Sequence, residues 1–88
     1  MADLNERFQQ AAAAAKQLPE KPDNETLLQL YSLFKQGSEG NVSGEKPSFF
    51  DFVATAKYDA WENRSGQDPE QAMQQYIDLV ESLGGGSG

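Results

Sequence analysis

Apolar residues recur every three or four positions in four segments of this chain, which is the spacing of one face of an α-helix. In the first segment the apolar positions are Phe8, Ala11, Ala12, Ala15 and Leu18. Asp3 followed by Glu6 resembles a helix-capping box, so we expect this helix to begin at Asp3. Pro19 should end it, because proline has no N–H to donate to a continuing helix.

The second and third segments also predict helices. We expect the second to begin at Asp23 or Asn24 and to end before Gly37, with a broad apolar face made of Leu27, Leu28, Leu30, Tyr31, Leu33 and Phe34. We expect the third to begin near Ser48, with Asp51 at the N3 position of a second capping box. Its apolar positions are Phe49, Phe52, Val53, Ala56, Ala60 and Trp61.

The fourth segment has the clearest helix start, with Asp68 at the N-cap, Pro69 at the first helical position and Gln71 at N3. Its apolar anchors are Ala72, Met73, Tyr76, Ile77, Val80 and Leu83. No segment alternates as a strand would, so the pattern predicts an all-α fold, a four-helix bundle. The longest connection between predicted helices spans residues 37–47. Functional residues often lie on long loops of this kind.

Composition and charge narrow the classes of function. The 88 residues include no cysteine and no histidine, which excludes disulfides, zinc fingers and Cys or His nucleophiles. Fourteen acidic residues against seven basic ones give a net charge of −7, which disfavours binding to nucleic acid or to an anionic membrane surface. Neither a membrane span nor a signal peptide is visible, so we expect a soluble, cytoplasmic protein.

The sequence offers little catalytic chemistry. No serine lies in a Gly-x-Ser-x-Gly setting, and there is no histidine to activate one. Asp51, Asp59 and Glu62 are spaced like capping or surface residues, and neither a phosphate-loop nor a calcium-loop pattern occurs. We therefore expect a protein that is not an enzyme and that has no metal site and no cofactor.

The few basic residues are more informative. Lys35 follows Tyr31 by one helical turn, Lys57 lies in the middle of the third helix, and Lys16 lies near the end of the first. One interpretation makes these lysines solvated surface residues. The other makes them one positive site that binds a polyanion such as a phosphorylated nucleotide, with a tyrosine face for its base.

Three motifs occur in register along the chain. The run Phe-Lys-Gln-Gly-Ser-Glu-Gly at 34–40, followed by Pro47, is similar to Tyr-Lys-Gln-Ala-Thr-x-Gly…Pro. The run Lys-Tyr-Asp-Ala-Trp at 57–61 is similar to Lys-Trp-Asp-Ala-Trp, and Ala-Met-x-x-Tyr-Ile-x-x-Val at 72–80 resembles a known fourth helix. These patterns belong to the acyl-CoA-binding protein family, which the chain resembles without gaps from about Phe8 to Leu83.

The resemblance implies an up-down-down-up four-helix bundle over residues 1–83, followed by a flexible Gly/Ser tail, 84–88. That tail is either an artificial extension or the start of a linker. The implied function is non-catalytic binding, buffering and intracellular transport of medium- to long-chain fatty acyl-CoA esters by a monomer. Transient contacts with acyl-CoA-using enzymes or with membranes fit this role.

The resemblance also implies which residues hold the ligand. The CoA phosphates would be bound by Tyr31, Lys35, Lys57 and Lys16. Tyr76 would contact the adenine. The acyl chain would lie in a groove bordered by Leu27, Leu28, Leu30 and Ala56.

Several residues depart from the family pattern. Phe34 and Tyr58 stand where the family has tyrosine and tryptophan, and Val53 and Thr55 stand where many members carry lysine. Gly37 is expected to loosen the end of the second helix. These departures predict weaker or more salt-sensitive binding. They also motivate an alternative, a helical protein-interaction module that lost its ligand; a further alternative is the carrier domain of a larger acyl-CoA enzyme.

Overall fold

A computed structural model of the protein describes residues 3–84 and contains four helices. Helix α1 spans Leu4–Ala15, α2 spans Asn24–Glu39, α3 spans Phe52–Glu62 and α4 spans Pro69–Ser82. Because the described residues form helices and no strands, the all-α four-helix prediction is confirmed. The predicted Gly/Ser tail lies outside the described residues, apart from Gly84. None of the described helices has the length and apolar character needed to cross a membrane.

An aspartate begins each helix. Its carboxylate accepts a hydrogen bond from a backbone N–H group in the first turn, which typically stabilises a helix by about 1 kcal/mol. The four N-caps are Asp3, Asp23, Asp51 and Asp68, which accept from the N–H groups of Glu6, Thr26, Ala54 and Glu70. The predicted starts of α1, α2 and α4 are therefore confirmed.

The start of α3 differs from the prediction. Asp51 is the N-cap and not N3, so the helix begins at Phe52, after a turn in which the Asp51 N–H donates to the Ser48 carbonyl over 2.9 Å. The apolar side chains at this end of α3 are not buried, since Phe49, Phe52 and Val53 are 72%, 79% and 66% exposed. Helix α3 packs mainly against α2, so its first turn has no second helix to cover it.

The core lies where α4 packs against both α1 and α2. Its buried members are Phe8, Ala11, Leu30, Leu33, Ala72, Tyr76, Ile77 and Val80. Three aromatic rings form its centre. The ring centroid of Phe8 lies 5.3 Å from that of Phe34 in a stacked arrangement and 5.2 Å from that of Tyr76 in an edge-on one. Phe34 thus keeps the ring packing expected of the tyrosine that it replaces.

The ends of α1 and α2 also differ from the prediction. Helix α1 ends at Ala15, with Lys16 as its C-cap, three residues before Leu18. Helix α2 does not end before Gly37 but continues to Glu39, and Gly40 caps it at a φ of 83° that suits glycine.

Gly37 is buried inside α2 because its neighbours come very close. A Cβ atom at this position would lie 3.0 Å from Cγ of Met73 and 3.2 Å from Cζ of Phe8. The glycine therefore allows the close approach of three helices, and the expectation that it loosens α2 is wrong. Glycine inside a helix lowers its stability by about 1 kcal/mol relative to alanine. The close contact at this position requires glycine in spite of that loss.

A larger side chain at position 37 should destabilise the fold. We expect Gly37→Val to lower the free energy of unfolding by about 1–3 kcal/mol, because its methyl groups would overlap Met73 and Phe8. Urea unfolding followed by circular dichroism measures the change.

Ser38→Val is the matched control, since it places the same β-branched residue on the exposed side of the same helix. Equal losses in the two variants would show that helix propensity, and not the close approach at Gly37, limits this position.

Candidate functional site

The α2–α3 face brings together three of the four residues predicted to bind phosphate. Tyr31 and Lys35 lie one turn apart on α2, and Lys57 and Trp61 lie one turn apart on α3. The Nζ atom of Lys57 lies 5.4 Å from the ring centroid of Tyr31, and the Nζ atom of Lys35 lies 4.8 Å from that of Trp61. Each helix thus places a lysine over an aromatic ring of the other, and we call these four residues the lysine–aromatic cluster.

Trp61 fixes the position of this cluster. Its indole is 6% exposed, and its Nε1–H donates to the carbonyl oxygen of Gly40 over 2.8 Å. Because Gly40 is the C-cap of α2, this bond holds α3 against the end of α2, close to Lys35. The burial of Trp61 agrees with its place among the apolar positions of the third helix. Its place beneath the Lys35 ammonium was not anticipated.

A buried polar network supports the same end of α2. Gln36 is fully buried, and its Nε2 donates to Oδ1 of Asn41 over 3.1 Å and to the carbonyl oxygen of Gln67 over 2.9 Å. Asn41 Oδ1 also accepts from the N–H of Gly66 over 2.7 Å. The network joins α2 to both loops that flank α3. Sequence reasoning missed Gln36, although its spacing of three residues from Leu33 places it on the core side of α2.

An apolar groove of about 320 Å³ lies beside the cluster, between α2 and α3. It is lined by Asn24, Leu27, Leu28, Phe52, Val53, Ala56 and Lys57. Three of the four predicted acyl-groove residues are among them. Phe52 and Val53, which the sequence analysis named only as apolar positions of the third helix, also line this groove.

Leu30, the fourth predicted groove residue, does not line this groove. It is 7% exposed and belongs to the core cluster, one turn before Leu33. The reason is geometric, because this stripe of α2 faces α1 and α4, whereas Leu27 and Leu28 face α3.

A second groove of about 370 Å³ shares Leu28 with the first. It is lined by Glu25, Leu28, Gln29, Ser32, Ala60, Asn63 and Arg64. Arg64 Nε donates to the hydroxyl of Ser32 over 2.7 Å, and this hydroxyl donates to the carbonyl of Gln29 over 3.0 Å. Partial burial lowers the pKa of the Arg64 guanidinium. Arg64 therefore ties the segment after α3 to α2, a role that the sequence pattern did not reveal.

The other two predicted ligand residues belong to other helices, Lys16 to the C-cap of α1 and Tyr76 to α4. Lys16 is exposed at the end of α1, and Tyr76 is 5% exposed between the rings of Phe8 and Phe34. No hydrogen bond, ion pair or ring contact within residues 3–84 joins either of them to the lysine–aromatic cluster.

Two lysines in or near the site pair with carboxylates. Lys35 Nζ contacts Oε2 of Glu39, one turn later on α2. Lys46 Nζ lies 3.3 Å from Oδ1 of Asp59, and both of these side chains are about half exposed. Exposed pairs of this kind contribute less than about 1 kcal/mol each. Lys57 makes no ion pair with any described residue, so its ammonium is available to bind an external anion.

The arrangement suits a molecule that is anionic at one end and apolar at the other. Two ammonium groups and a tyrosine ring lie beside a groove whose walls are mostly aliphatic and aromatic. Lysine binds phosphate groups as a point charge, and the ring can pack against a flat base. No group of three or more acidic side chains in the described part of the chain could hold a metal ion.

Comparison with known proteins shows similarity to one family over most of the chain. The family model described as "Acyl CoA binding protein" matches residues 5–80. An acyl-CoA-binding protein homologue from Caenorhabditis elegans is 43% identical over 76 residues, which are 86% of this chain and 88% of the relative. Enoyl-CoA delta isomerase 2 from Rattus norvegicus is 45% identical over 80 residues, which are 91% of this chain but only 20% of that protein.

A solved structure confirms the fold. The crystal structure of acyl-CoA-binding protein 2 from Oryza sativa matches with a TM-score of 0.87 and 40% sequence identity, over 92% of this chain and 90% of that one. Sequence and architecture therefore agree over nearly the whole chain.

The burial of Tyr76 has a consequence at high pH. Burial raises the pKa of its phenol above the ordinary value of 10.0, because the charged form would lose its hydration. As the pH rises above 10, the unfolded state loses the Tyr76 proton before the folded state does, so the free energy of unfolding should fall. The tyrosinate absorbance of the parent minus that of Tyr76→Phe isolates this titration, and a midpoint at or below 10.0 would contradict it.

Proposed function

Since the chain belongs to the acyl-CoA-binding protein family, we propose that it binds medium- to long-chain fatty acyl-CoA esters, buffers their concentration and carries them without chemical change. One observation supports this function most strongly. The lysine–aromatic cluster lies directly beside an apolar groove, and Lys57 belongs to both. An anionic head group and an acyl chain can therefore bind side by side.

In this proposal the CoA phosphates are held by Lys35 and Lys57, with Tyr31 beside them. Charge-assisted hydrogen bonds of this kind contribute about 1–3 kcal/mol each when the site is partly desolvated. The net charge of −7 opposes an anionic ligand. At physiological salt, however, charges beyond about 8 Å are largely screened, so the local lysines dominate.

The acyl chain lies in the groove between α2 and α3. Leu27, Leu28 and Ala56 form its sides, and Phe52 and Val53 extend it towards the start of α3. Each buried CH₂ group contributes roughly 0.8 kcal/mol, so chain length should dominate the affinity. Val53 adds apolar surface where many family members carry a lysine.

Two further contacts remain part of the proposal. Lys16 is exposed and can reach a phosphate only if the head group extends towards the end of α1. Tyr76 is almost completely buried, so it can meet the adenine only through its exposed edge. Leu30 is not included, because it is a core residue.

We place the binding domain at residues 1–83 and expect a cytoplasmic monomer that meets acyl-CoA-using enzymes transiently. A second candidate is the carrier domain of a larger enzyme. It is favoured by the rat isomerase, in which a segment similar to this chain makes up one fifth of the protein. A module that lost its ligand is disfavoured, because the lysines and the groove are both intact.

Removing the lysines should weaken binding. We expect Lys35→Ala and Lys57→Ala each to reduce the affinity for palmitoyl-CoA by about 1–3 kcal/mol, because each loses a phosphate contact. Isothermal titration calorimetry measures the change, with free CoA and palmitate as ligands that lack the acyl chain or the head group.

Lys21→Ala is the matched control, because Lys21 is an exposed lysine between α1 and α2. Parent protein that does not bind palmitoyl-CoA would refute the proposed function. Unchanged affinity in both site variants would refute the site.

Truncating the end of the groove should affect long chains selectively. We expect Phe52→Ala to weaken binding of palmitoyl-CoA by about 1–2 kcal/mol and binding of butyryl-CoA much less, because only the long chain reaches this ring. Phe49→Ala is the control, since Phe49 is similarly exposed but is not among the residues that line the groove. Equal losses in the two variants would show that the chain does not follow this path.

A further inference from the structure

One of the two ammonium groups in the cluster already forms an ion pair with a carboxylate of this chain. Lys35 Nζ donates to Oε2 of Glu39 and at the same time lies 4.8 Å from the centroid of the Trp61 ring. The Lys35 side chain is 23% exposed and the Glu39 side chain 48% exposed. The ammonium thus contacts both a buried aromatic ring and a half-exposed carboxylate.

A phosphate that binds Lys35 must share its ammonium group with Glu39. A lysine ammonium has three donors but a single compact charge. A phosphate oxygen and a carboxylate oxygen beside it would repel each other over a few ångströms in a partly desolvated site. The Lys35 ammonium therefore favours binding either the carboxylate or the phosphate, and not both at once.

We propose that Glu39 is a competing carboxylate that sets the affinity and specificity of the CoA phosphate site. It pairs with Lys35 when no ligand is bound and must swing away when a phosphate arrives. A doubly charged phosphomonoester displaces it more readily than a singly charged group does. This inference rests on the proposed function, and it adds a specificity-determining residue.

The position of Glu39 allows such a movement. It is the last residue of α2, its side chain is half exposed, and Gly40 follows it as the C-cap. An exposed pair four residues apart is weak, so ligand can displace it. Lys57 has no equivalent carboxylate partner among the described residues, so the competition acts on Lys35 alone.

The test is the variant Glu39→Gln, which keeps the size and polarity of the side chain but removes its charge. Calorimetric titration at low salt should show at least about twofold tighter binding of palmitoyl-CoA than the parent shows. The gain should shrink at high salt and should be smaller for the ligand without its ribose phosphate, 3′-dephospho-palmitoyl-CoA.

A double-mutant cycle shows whether Glu39 acts through Lys35. In a Lys35→Met background, Glu39→Gln should change the affinity no more than Glu62→Gln does in the parent. Glu62 is the control because it is an exposed glutamate on α3 without an ion pair among the described residues.

The outcomes separate the two claims. Unchanged affinity in Glu39→Gln, or a gain that persists without Lys35, would overturn the role of Glu39 and leave the carrier function intact. Parent protein that does not bind palmitoyl-CoA at all would overturn the proposed function itself.

Discussion

The α2–α3 face depends on how α3 is held against α2, and the hydrogen bond from the Trp61 indole to the Gly40 carbonyl is central to this. The carbonyl belongs to the cap of α2, where the last backbone oxygens have no partner within the helix. The buried indole satisfies this oxygen and at the same time presents its ring to Lys35. Since α3 packs mainly on α2, the cluster and both grooves depend on this docking.

The electrostatics of the site are local. The chain as a whole is strongly acidic, yet two ammonium groups are kept over aromatic rings, where cation–π attraction stabilises them by about 0.5–1 kcal/mol. The rings also restrict the lysine side chains, which lowers the entropy lost when a phosphate binds. A small number of oriented charges can therefore define the ligand class of an acidic protein.

The sequence predicted the helices best where local chemistry decides, as at the aspartate caps of α1, α2 and α4. It failed at Gly37, where the contact with Phe8 and Met73 overrides the tendency of glycine to end a helix. It did not show that Phe52 and Val53 line a groove, because an apolar stripe looks the same in sequence whether it faces a core or a groove. The lysines of the site followed from family motifs, whereas the Lys35–Glu39 contact required coordinates.

Trp61 is the only tryptophan in the chain, and it lies beneath the Lys35 ammonium, which we propose binds a phosphate of the ligand. Its indole is rigidly held, shielded from water and hydrogen-bonded to a single carbonyl. The tryptophan fluorescence of the protein therefore originates at the α2–α3 face. The molecule thus carries an intrinsic optical probe beside the proposed phosphate site, and no attached dye is needed to observe it.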